Sequence, residues 1–275
     1  GAGLRQLQEG KPKHFIAREL IQNAWDESTK KCEVKAAWAQ GLAQIQVVDD
    51  SPEGFRNLAD AFTLFAPTYK RADPTKRGRF NIGEKQAFSV CESAQLTTTK
   101  GTLIFDKDGR KKSAKARAFG SEIAVTVRMT KKEFEEVLET VKSYVVPVGI
   151  EFVVNGEGIA YRPPHKVIEA TLPTELEQDG VLRRTQRKTA AHILKTDGKS
   201  RLYELGIPVT EIDCQFDIDV QQKVPLSTDR ETVPLSFLAL LYAEVLKANH
   251  DDIPSERSSD VWVREATKHP RVNPD

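Results

Sequence analysis

The first residues with types and spacing suited to chemistry lie on one predicted helix near the start of the chain. Glu19 and Asn23 are one helical turn apart, and Asp26 follows on the flank of the same face. A carboxylate in such a position can orient and deprotonate a water molecule, and an amide oxygen can bind Mg²⁺. Because this spacing also occurs on many solvated helices, its meaning depends on what accompanies it.

Two further segments combine polar residues with glycines. The first runs from Asp49 to Gly54 and begins at the end of a predicted strand, where a carboxylate can accept a hydrogen bond from an exocyclic amine such as that of adenine. The second begins at Gly78 and precedes a helix, so its backbone N–H groups are suited to bind phosphate. Glu84 precedes Lys85 and neither Ser nor Thr follows, which excludes a Walker P-loop.

Hydrophobic periodicity predicts the elements that must position these residues. Apolar residues from Ile16 to Ala24 recur at helical spacing and predict a helix over 12–29, and a strand at 45–48 leads into Asp49. Further helices are predicted at 57–65, 87–91, 134–141 and 235–246. Further strands are predicted at 95–99, 103–105, 122–127 and 150–154, the last one ending in the hairpin signal Asn155-Gly156.

In this order, the three segments resemble those of the GHKL ATPases, the superfamily of gyrase B, the ninety-kilodalton heat-shock chaperone, histidine kinases and MutL. The stretch from Arg18 to Ala24 resembles the N-box of that chaperone, residues 49–54 resemble the D-x-G-x-G box, and residues 78–88 resemble the second glycine box. Thr68-x-Lys70 is similar to a T-x-K motif near the lid of MutL-like members. The resemblance covers roughly residues 12–160.

The resemblance implies that the protein is an ATPase that binds Mg²⁺ and ATP and hydrolyses ATP slowly. Glu19 would be the general base for the attacking water, and Asn23 would be the Mg²⁺ ligand. An aspartate would bind the adenine amine: strand parity favours Asp49, whereas counting back from Gly54 favours Asp50. The other positions implied to contact the nucleotide are Asp26, Gly54, Lys70, Gly78, Phe80, Asn81, Ile82, Gly83 and Ser121.

Two residues depart from the family pattern. Ser51 stands where the family has a first glycine, and Asn81 replaces a second glycine in the phosphate loop. Because non-glycine residues rarely adopt positive φ, the backbone at both positions is more restricted than in the family. We expect nucleotide binding to survive these changes, while they put the phosphate geometry and the turnover rate in question. The alternative function is a non-catalytic, ATP-dependent switch that recruits a protein partner.

After residue 162 the resemblance is weaker. Gln221-Gln222-Lys223 resembles the Q-T-K loop of gyrase B, which would make Lys223 a catalytic residue at the γ-phosphate, the alternative being a solvated strand end. We predict an α+β fold: a Bergerat-type two-layer α/β sandwich, followed by a smaller, transducer-like α+β domain made of short strands and one apolar helix. The predicted bounds are 1–11 for a tag or arm, 12–162, 163–248, and 249–275 for a loosely held polar tail.

Charge and composition limit the partners. The 41 Lys and Arg residues balance 40 Asp and Glu residues, which excludes a uniformly polybasic nucleic-acid coat. Basic clusters at 107–117 and 183–188 either contact nucleic-acid phosphates or are solvated surface. The resemblance implies that ATP binding closes a lid around residues 66–77 and drives homodimerisation, with DNA (as in a gyrase- or MutL-like clamp) or a protein as the partner.

The remaining features concern cellular context. Three widely spaced cysteines without a C-x-x-C motif, and the lack of a long apolar run, predict a cytoplasmic protein with no membrane segment. The chain begins Gly1-Ala2-Gly3, which resembles a remnant of cloning and predicts a piece of a longer protein.

Overall fold

The computed structural model describes residues 12–27, 29–52, 70, 72–78, 87–178, 181–227 and 232–272. The fold is mixed α+β, as predicted, and it divides into two compact units. The first unit comprises Gly1–Tyr69 and Gly78–Tyr161, and the second comprises Lys70–Arg77 and Arg162–Asp275. The segment 70–77, which was predicted as part of the nucleotide domain, therefore belongs to the second unit.

The first unit contains a sheet that, over the described residues, has eight strands in the order β5-β4-β3-β6-β2-β1-β7-β8. Neighbouring strands are antiparallel except β1 and β7, which are parallel. The strands are β1 (Lys31–Ala39), β2 (Leu42–Asp49), β3 (Ser93–Thr98), β4 (Gly101–Asp106), β5 (Gly109–Ser113), β6 (Glu122–Arg128), β7 (Glu151–Val154) and β8 (Glu157–Ile159).

Two helices cover one face of this sheet. Helix α1 (His14–Asp26) and helix α2 (Lys131–Lys142) pack against each other, and both contact β1. In β2 the buried positions alternate, and they are Ala43, Ile45, Val47 and Asp49. Because side chains alternate between the two faces of a strand, Asp49 lies on the same face as the apolar core beneath the helices.

The second unit is built on a sheet with the order β12-β11-β13-β10-β9 over the described residues. Its strands are β9 (Lys166–Gln178), β10 (Val181–Lys195), β11 (Arg201–Glu204), β12 (Ile207–Glu211) and β13 (Phe216–Val220), and its helices are α3 (Leu235–Asn249) and α4 (Val261–Thr267). Helix α3 packs on β9, and α4 packs on α3. The core between sheet and helices includes Leu172, Ile193, Ile218, Phe237, Leu241 and Trp262.

Two expectations for the second unit are wrong. The strands at its start are long rather than short, since β9 and β10 pair over 13 positions. Pro173 lies inside β9, which is tolerated because β9 is an edge strand and its missing N–H interrupts no central ladder. The tail is not loosely held, because Trp262 and Ala266 of α4 are buried in the core.

In the first unit most predicted elements are confirmed, with ends shifted by a few residues. Strand β1 was missed, because its sequence is rich in alanine and lysine, which have weak strand propensity. The strand persists because it pairs on both sides, with β2 and β7. The helix predicted at 57–65 lies outside the described residues. Among the described helices, none is long and apolar enough to cross a membrane.

Candidate functional site

Helix α1 brings the first candidate residues to the buried face of the first unit. Its apolar side chains fix its orientation on the sheet, and the carboxylate of Glu19 is nevertheless only 6% exposed. Nη2 of Arg18 lies 3.4 Å from Oε1 of Glu19, so the buried charge has a partial counter-charge. Asn23, one turn further on, is half-buried. A carboxylate and an amide therefore share one helix face, as the spacing predicted.

The end of α1 is joined to the start of the glycine segment. Oδ2 of Asp26 accepts a hydrogen bond from the backbone N of Gly78 at 2.9 Å, across 52 positions of sequence. Asp26 is only 1% exposed, so a charge-assisted hydrogen bond of this kind contributes more than one at the surface. The structure thus places Gly78, the first residue of the predicted phosphate loop, beside the helix that carries Glu19 and Asn23.

Asp49 ends β2 as a buried carboxylate. Its Oδ1 accepts hydrogen bonds from the backbone N of Ser51 at 2.9 Å and of Ser121 at 3.2 Å. Its own backbone N donates to the carbonyl of Ser121 at 2.9 Å, so Ser121 is brought to Asp49 as predicted. Burial raises the pKa of Asp49 above its ordinary value, and the nearby charge of Glu27 acts in the same direction.

A buried hydroxyl lies next to this carboxylate. Ser51 is 3% exposed, and its Oγ has no well-formed hydrogen bond to any described residue. The Ser51 side chain is close enough to the Asp49 carboxylate to act against the rise in its pKa. A buried polar atom without a partner is costly, and such atoms recur at ligand sites. The acceptor and the hydroxyl together form a small polar patch on an otherwise apolar face.

Gly120 shapes this patch, a role that was not predicted from the sequence. Its backbone N donates to the carbonyl of Ser51 at 2.8 Å, and its φ is +70°. A Cβ at this position would lie 2.0 Å from the carbonyl oxygen of Asp49, so only glycine allows the two chain segments to approach this closely. The signal in the sequence was a Gly-Ser pair directly before β6.

Asp50 has a different environment from Asp49. Its Oδ1 accepts hydrogen bonds from the backbone N of Lys30 at 2.8 Å and of Lys31 at 2.9 Å. The side chain of Asp50 therefore fixes the start of β1. Of the two aspartates left open by the sequence, Asp49 is the one that faces the buried side of the sheet.

Lys223 lies in the second unit and is 1% exposed. Its ammonium Nζ donates to the backbone carbonyl of Lys70 and, at 2.8 Å, to that of Asp73. Its backbone N donates to the carbonyl of Pro74 at 3.0 Å. The alternative of a solvated strand end is therefore wrong, the catalytic role of Lys223 stays a prediction, and Lys70 and Lys223 are brought together within the second unit.

Several predicted residues lie outside the part of the chain that the structure describes. These are Gly54, Phe80, Asn81, Ile82 and Gly83. Within the described part there is no cluster of three or more His, Cys, Asp or Glu side chains that could hold a metal ion. This is compatible with an Mg²⁺ site, because Mg²⁺ is commonly bound by one or two protein oxygens together with substrate phosphates.

The chain was compared with known proteins. No protein-family model matches it, and a search of curated proteins finds no significant match.

Proposed function

We propose that the first unit binds Mg²⁺ and ATP in the manner of a GHKL ATPase and hydrolyses the β–γ phosphoanhydride slowly. The observation that carries the proposal is the buried patch at the end of β2. There, Oδ1 of Asp49 is held by two backbone N–H groups, and the buried hydroxyl of Ser51 is a neighbour of the carboxylate.

This patch is complementary to the hydrogen-bonding edge of adenine. Adenine presents an exocyclic amine, which donates, beside a ring nitrogen, which accepts. A carboxylate oxygen beside a hydroxyl offers the matching acceptor and donor. Guanine would present a carbonyl oxygen to the carboxylate, and two acceptors facing each other in a buried site are unfavourable. The proposal therefore includes a preference for ATP over GTP.

The residues on α1 support the chemical step. Glu19 would orient a water molecule and accept its proton as the water oxygen forms a bond to the γ-phosphorus and the bond to the β–γ bridging oxygen breaks. Mg²⁺, with Asn23 as its protein ligand, would neutralise charge on the phosphate oxygens. Asp26 supports the phosphate side indirectly, because it fixes the backbone of Gly78, where the phosphate loop begins.

The finer fold assignment is part of this proposal. Helices on one face of a mostly antiparallel sheet, with the polar patch at the end of β2, support a Bergerat-type layout for the first unit. The second unit would be the transducer-like domain. The three cysteines, all free thiols, support a reducing, cytoplasmic compartment.

Phosphate release tests the proposal. We expect the wild type to release phosphate from Mg-ATP, and Glu19→Gln to retain ATP binding while losing at least about a hundredfold in rate. Glu139→Gln, on the exposed face of α2, is the matched control and should keep the wild-type rate. ATP binding by both proteins without turnover in either would instead support the non-catalytic switch, in which the departures from the family pattern at Ser51 and Asn81 have abolished hydrolysis.

A second candidate function, a DNA-handling clamp that dimerises on ATP binding, is supported by the hairpin of β4 and β5. Residues 107–116 are all exposed, and the cluster 107–117 carries six basic residues and one acidic residue. The other basic cluster is partly neutralised, since Arg184 pairs with Glu175 and Lys188 pairs with Glu169 across the β9–β10 ladder. The hairpin cluster also contains ion pairs, Lys111 with Asp106 and Arg117 with Glu122, so its fuller exposure is what makes it the better candidate for contact with phosphates.

The salt dependence of DNA binding tests this candidate. Changing Lys107, Lys112 and Lys115 together to Gln should reduce the slope of log K against log salt by about 2–3, since each phosphate contact contributes about 0.9. The same changes at Lys131, Lys132 and Lys142 of α2 serve as the control and should leave the slope unchanged. Equal slopes in both variants would rule out the hairpin as the DNA surface.

A further inference from the structure

Strand β10 has an open edge in the second unit. It pairs with β9 over 181–193, whereas its pairing with β13 covers only 191–195. The backbone N of Gln221, directly after β13, donates to the carbonyl of Ala190 at 2.9 Å. Among the described residues, positions 181–189 of β10 (the open edge) therefore have a neighbouring strand on one side only.

The backbone groups along the open edge belong to alternate residues. In a strand, the N–H and C=O groups of one residue point to the same side, and those of the next residue point to the other side. Since the carbonyl of Ala190 points towards β13, the backbone groups of Arg184, Gln186 and Lys188 point to that side as well. Within the described part of the chain, no backbone group is hydrogen-bonded to them there. An edge of this kind can pair with an added strand.

A groove of about 370 Å³ lies beside the open edge. Its lining includes residues 184–186 of β10, and it includes Pro225, Pro234 and Phe237 from α3 and the segment that leads into it. Proline has no backbone N–H, so these residues offer few hydrogen-bond donors. An apolar side chain of an added strand would therefore find an apolar surface next to the edge.

The two faces of β10 differ in the charge partners of their side chains. Strand parity places Arg183, Thr185 and Arg187 on the face that contributes to the core beneath α3. On the opposite face, Arg184 and Lys188 pair with carboxylates of β9. No described carboxylate lies within ion-pair distance of Arg183, which is exposed, or of Arg187, which is half-buried. The face next to α3 therefore has two cations that attract a negatively charged partner.

We propose that the open edge of β10 binds an extended, acidic segment of a protein partner as an additional strand. The backbone of this segment pairs with Arg184 and Gln186. An apolar side chain opposite Thr185 enters the groove, and carboxylates two residues away on either side pair with Arg183 and Arg187. These three side chains share one face of the added strand, because alternate residues of a strand do so. The proposal concerns the second unit alone and does not depend on nucleotide binding.

Two other occupants fit the edge less well. If two copies of the chain paired antiparallel about Thr185, Arg183 of one copy would lie opposite Arg187 of the other, and like charges directly opposite each other are destabilising. Nucleic acid could neutralise the two cations, but it has no peptide groups at strand spacing and would leave the edge unpaired. A protein segment with carboxylates satisfies both the edge and the cations.

An NMR titration of the isotope-labelled full chain with the peptide Ser-Glu-Ser-Leu-Ser-Glu-Ser, blocked at both ends, tests the proposal. The peptide reads the same in both directions, so it presents one pattern to the edge in parallel or antiparallel pairing. We expect saturable shifts at the amides of residues 184–186 and 236–237. Replacing both Glu residues of the peptide by Gln should weaken binding about fivefold or more, and replacing Leu by Ser should weaken it about tenfold.

Two variants of the chain test the assigned contacts. Arg183→Gln combined with Arg187→Gln should bind the Glu and Gln peptides equally, because the cations that distinguish them are gone. Ser236→Phe, at an exposed residue of the groove lining, should fill the groove and remove the preference for the Leu peptide over the Ser peptide. Lys195→Gln combined with Lys199→Gln removes two exposed cations elsewhere in the unit and is the control, which should discriminate among the peptides as the wild type does.

The other outcomes would overturn the proposal. One is the absence of shifts at residues 184–186 with the peptide in the millimolar range, and another is equal binding of the Glu and Gln peptides by the wild type. Shifts at these amides on dilution of the chain alone would assign the edge to a second copy. Larger shifts with duplex DNA than with the Glu peptide would assign the cations to nucleic acid.

Discussion

Asp49 in the first unit and Asp219 in the second are both buried carboxylates near the end of a central strand, yet they use their oxygens differently. Asp219 accepts hydrogen bonds on both oxygens, from the backbone of Gly206 and the side chain of Gln221, and it faces Arg77. Asp49 accepts hydrogen bonds on Oδ1 from two backbone N–H groups, has the Ser51 hydroxyl as a neighbour and faces no cation among the described residues that act on its pKa.

The difference supports the proposal that the first unit binds a ligand and that the second does not use these buried charges for binding. In the second unit the side chains of Arg77, Asp219 and Lys223 form hydrogen bonds to other groups of the same unit. These hydrogen bonds favour one arrangement of the chain. In the first unit the backbone fixes Asp49 without using all of its hydrogen-bonding capacity. A carboxylate that is positioned but incompletely bonded can bind a ligand without prior rearrangement.

The largest expected effect comes from breaking the backbone approach that positions Asp49. Gly120→Ala would put a Cβ 2.0 Å from the carbonyl of Asp49 at a φ of +70°. We expect the free energy of unfolding of the first unit to fall by about 3 kcal/mol or more, measured by urea denaturation. Gly149→Ala is the control: its φ is +85° but its Cβ would meet nothing within 4 Å, so about 1 kcal/mol is expected. Equal losses would show that the close approach is unimportant.

The next effect tests the internal use of charge in the second unit. Arg77→Met leaves the carbonyl of Leu205 without its donors and Asp219 without its facing cation, and should lower the free energy of unfolding by about 2–3 kcal/mol. Lys31→Met in the first unit removes a solvent-exposed ion pair with Glu151 and should cost much less. Urea denaturation of both variants measures the difference, and a larger loss for Lys31→Met would reverse the comparison.

The titration of Asp219 gives a third prediction. Burial raises the pKa of Asp219 to about 6, and the charge of Glu204 acts in the same direction, while the Gly206 and Gln221 hydrogen bonds and Arg77 act against it. Between the ordinary pKa of 3.8 and about 6, the unfolded chain has lost this proton and the folded chain retains it. Stability should therefore fall as pH rises through this window, by about 2–3 kcal/mol for a shift of this size.

Asp219→Asn removes this titration and should flatten the pH dependence. The measurement is urea denaturation at pH values from about 4 to 7. Asp49, whose pKa is also raised by burial, contributes in the same direction, so some slope should remain in the variant. An unchanged profile in Asp219→Asn would show that Asp219 does not titrate in this range.

The smallest effect distinguishes the two neighbouring aspartates. Asp50→Ala removes the acceptor for the backbone N of Lys30 and Lys31 and should cost about 1–2 kcal/mol in the free energy of unfolding, with ATP affinity unchanged. Calorimetric titration with ATP beside urea denaturation measures both quantities. A loss of ATP affinity without a loss of stability would assign the adenine contact to Asp50 instead.

Local patterns in the sequence predicted much of the first unit. Helix α1, the strand before Asp49 and the Asn155-Gly156 hairpin follow from periodicity and turn chemistry, which act over a few residues. Strand β1 could not be predicted in this way, because pairing with β2 and β7 stabilises a segment of weak propensity. Parity along β2 favoured Asp49 over Asp50, and the buried side of the sheet agrees with it.

The contacts of the second unit were beyond such local reasoning. The partners of Lys223 are 153 and 150 residues away in sequence, and the partner of Arg77 is 128 residues away. Neither residue spacing nor composition indicates which backbone carbonyls a lysine will bind when they are more than a hundred residues away in the sequence. For the same reason residues 66–77 were predicted as a lid of the nucleotide domain, and the membership of residues 70–77 in the second unit was not foreseen.

The central claim is that Asp49 is held ready to bind adenine, and calorimetric titration of wild type and Asp49→Asn with ATP tests it most directly. Asparagine keeps one oxygen for the N–H groups of Ser51 and Ser121 but replaces Oδ2 by a donor. The account predicts that the wild type binds ATP more tightly than GTP. Asp49→Asn should bind ATP about 10–100-fold more weakly, which corresponds to the loss of one hydrogen bond to a charged group. Its free energy of unfolding should stay within about 1 kcal/mol of that of the wild type. Equal ATP affinity in the two proteins, or no ATP binding by the wild type, would contradict the account.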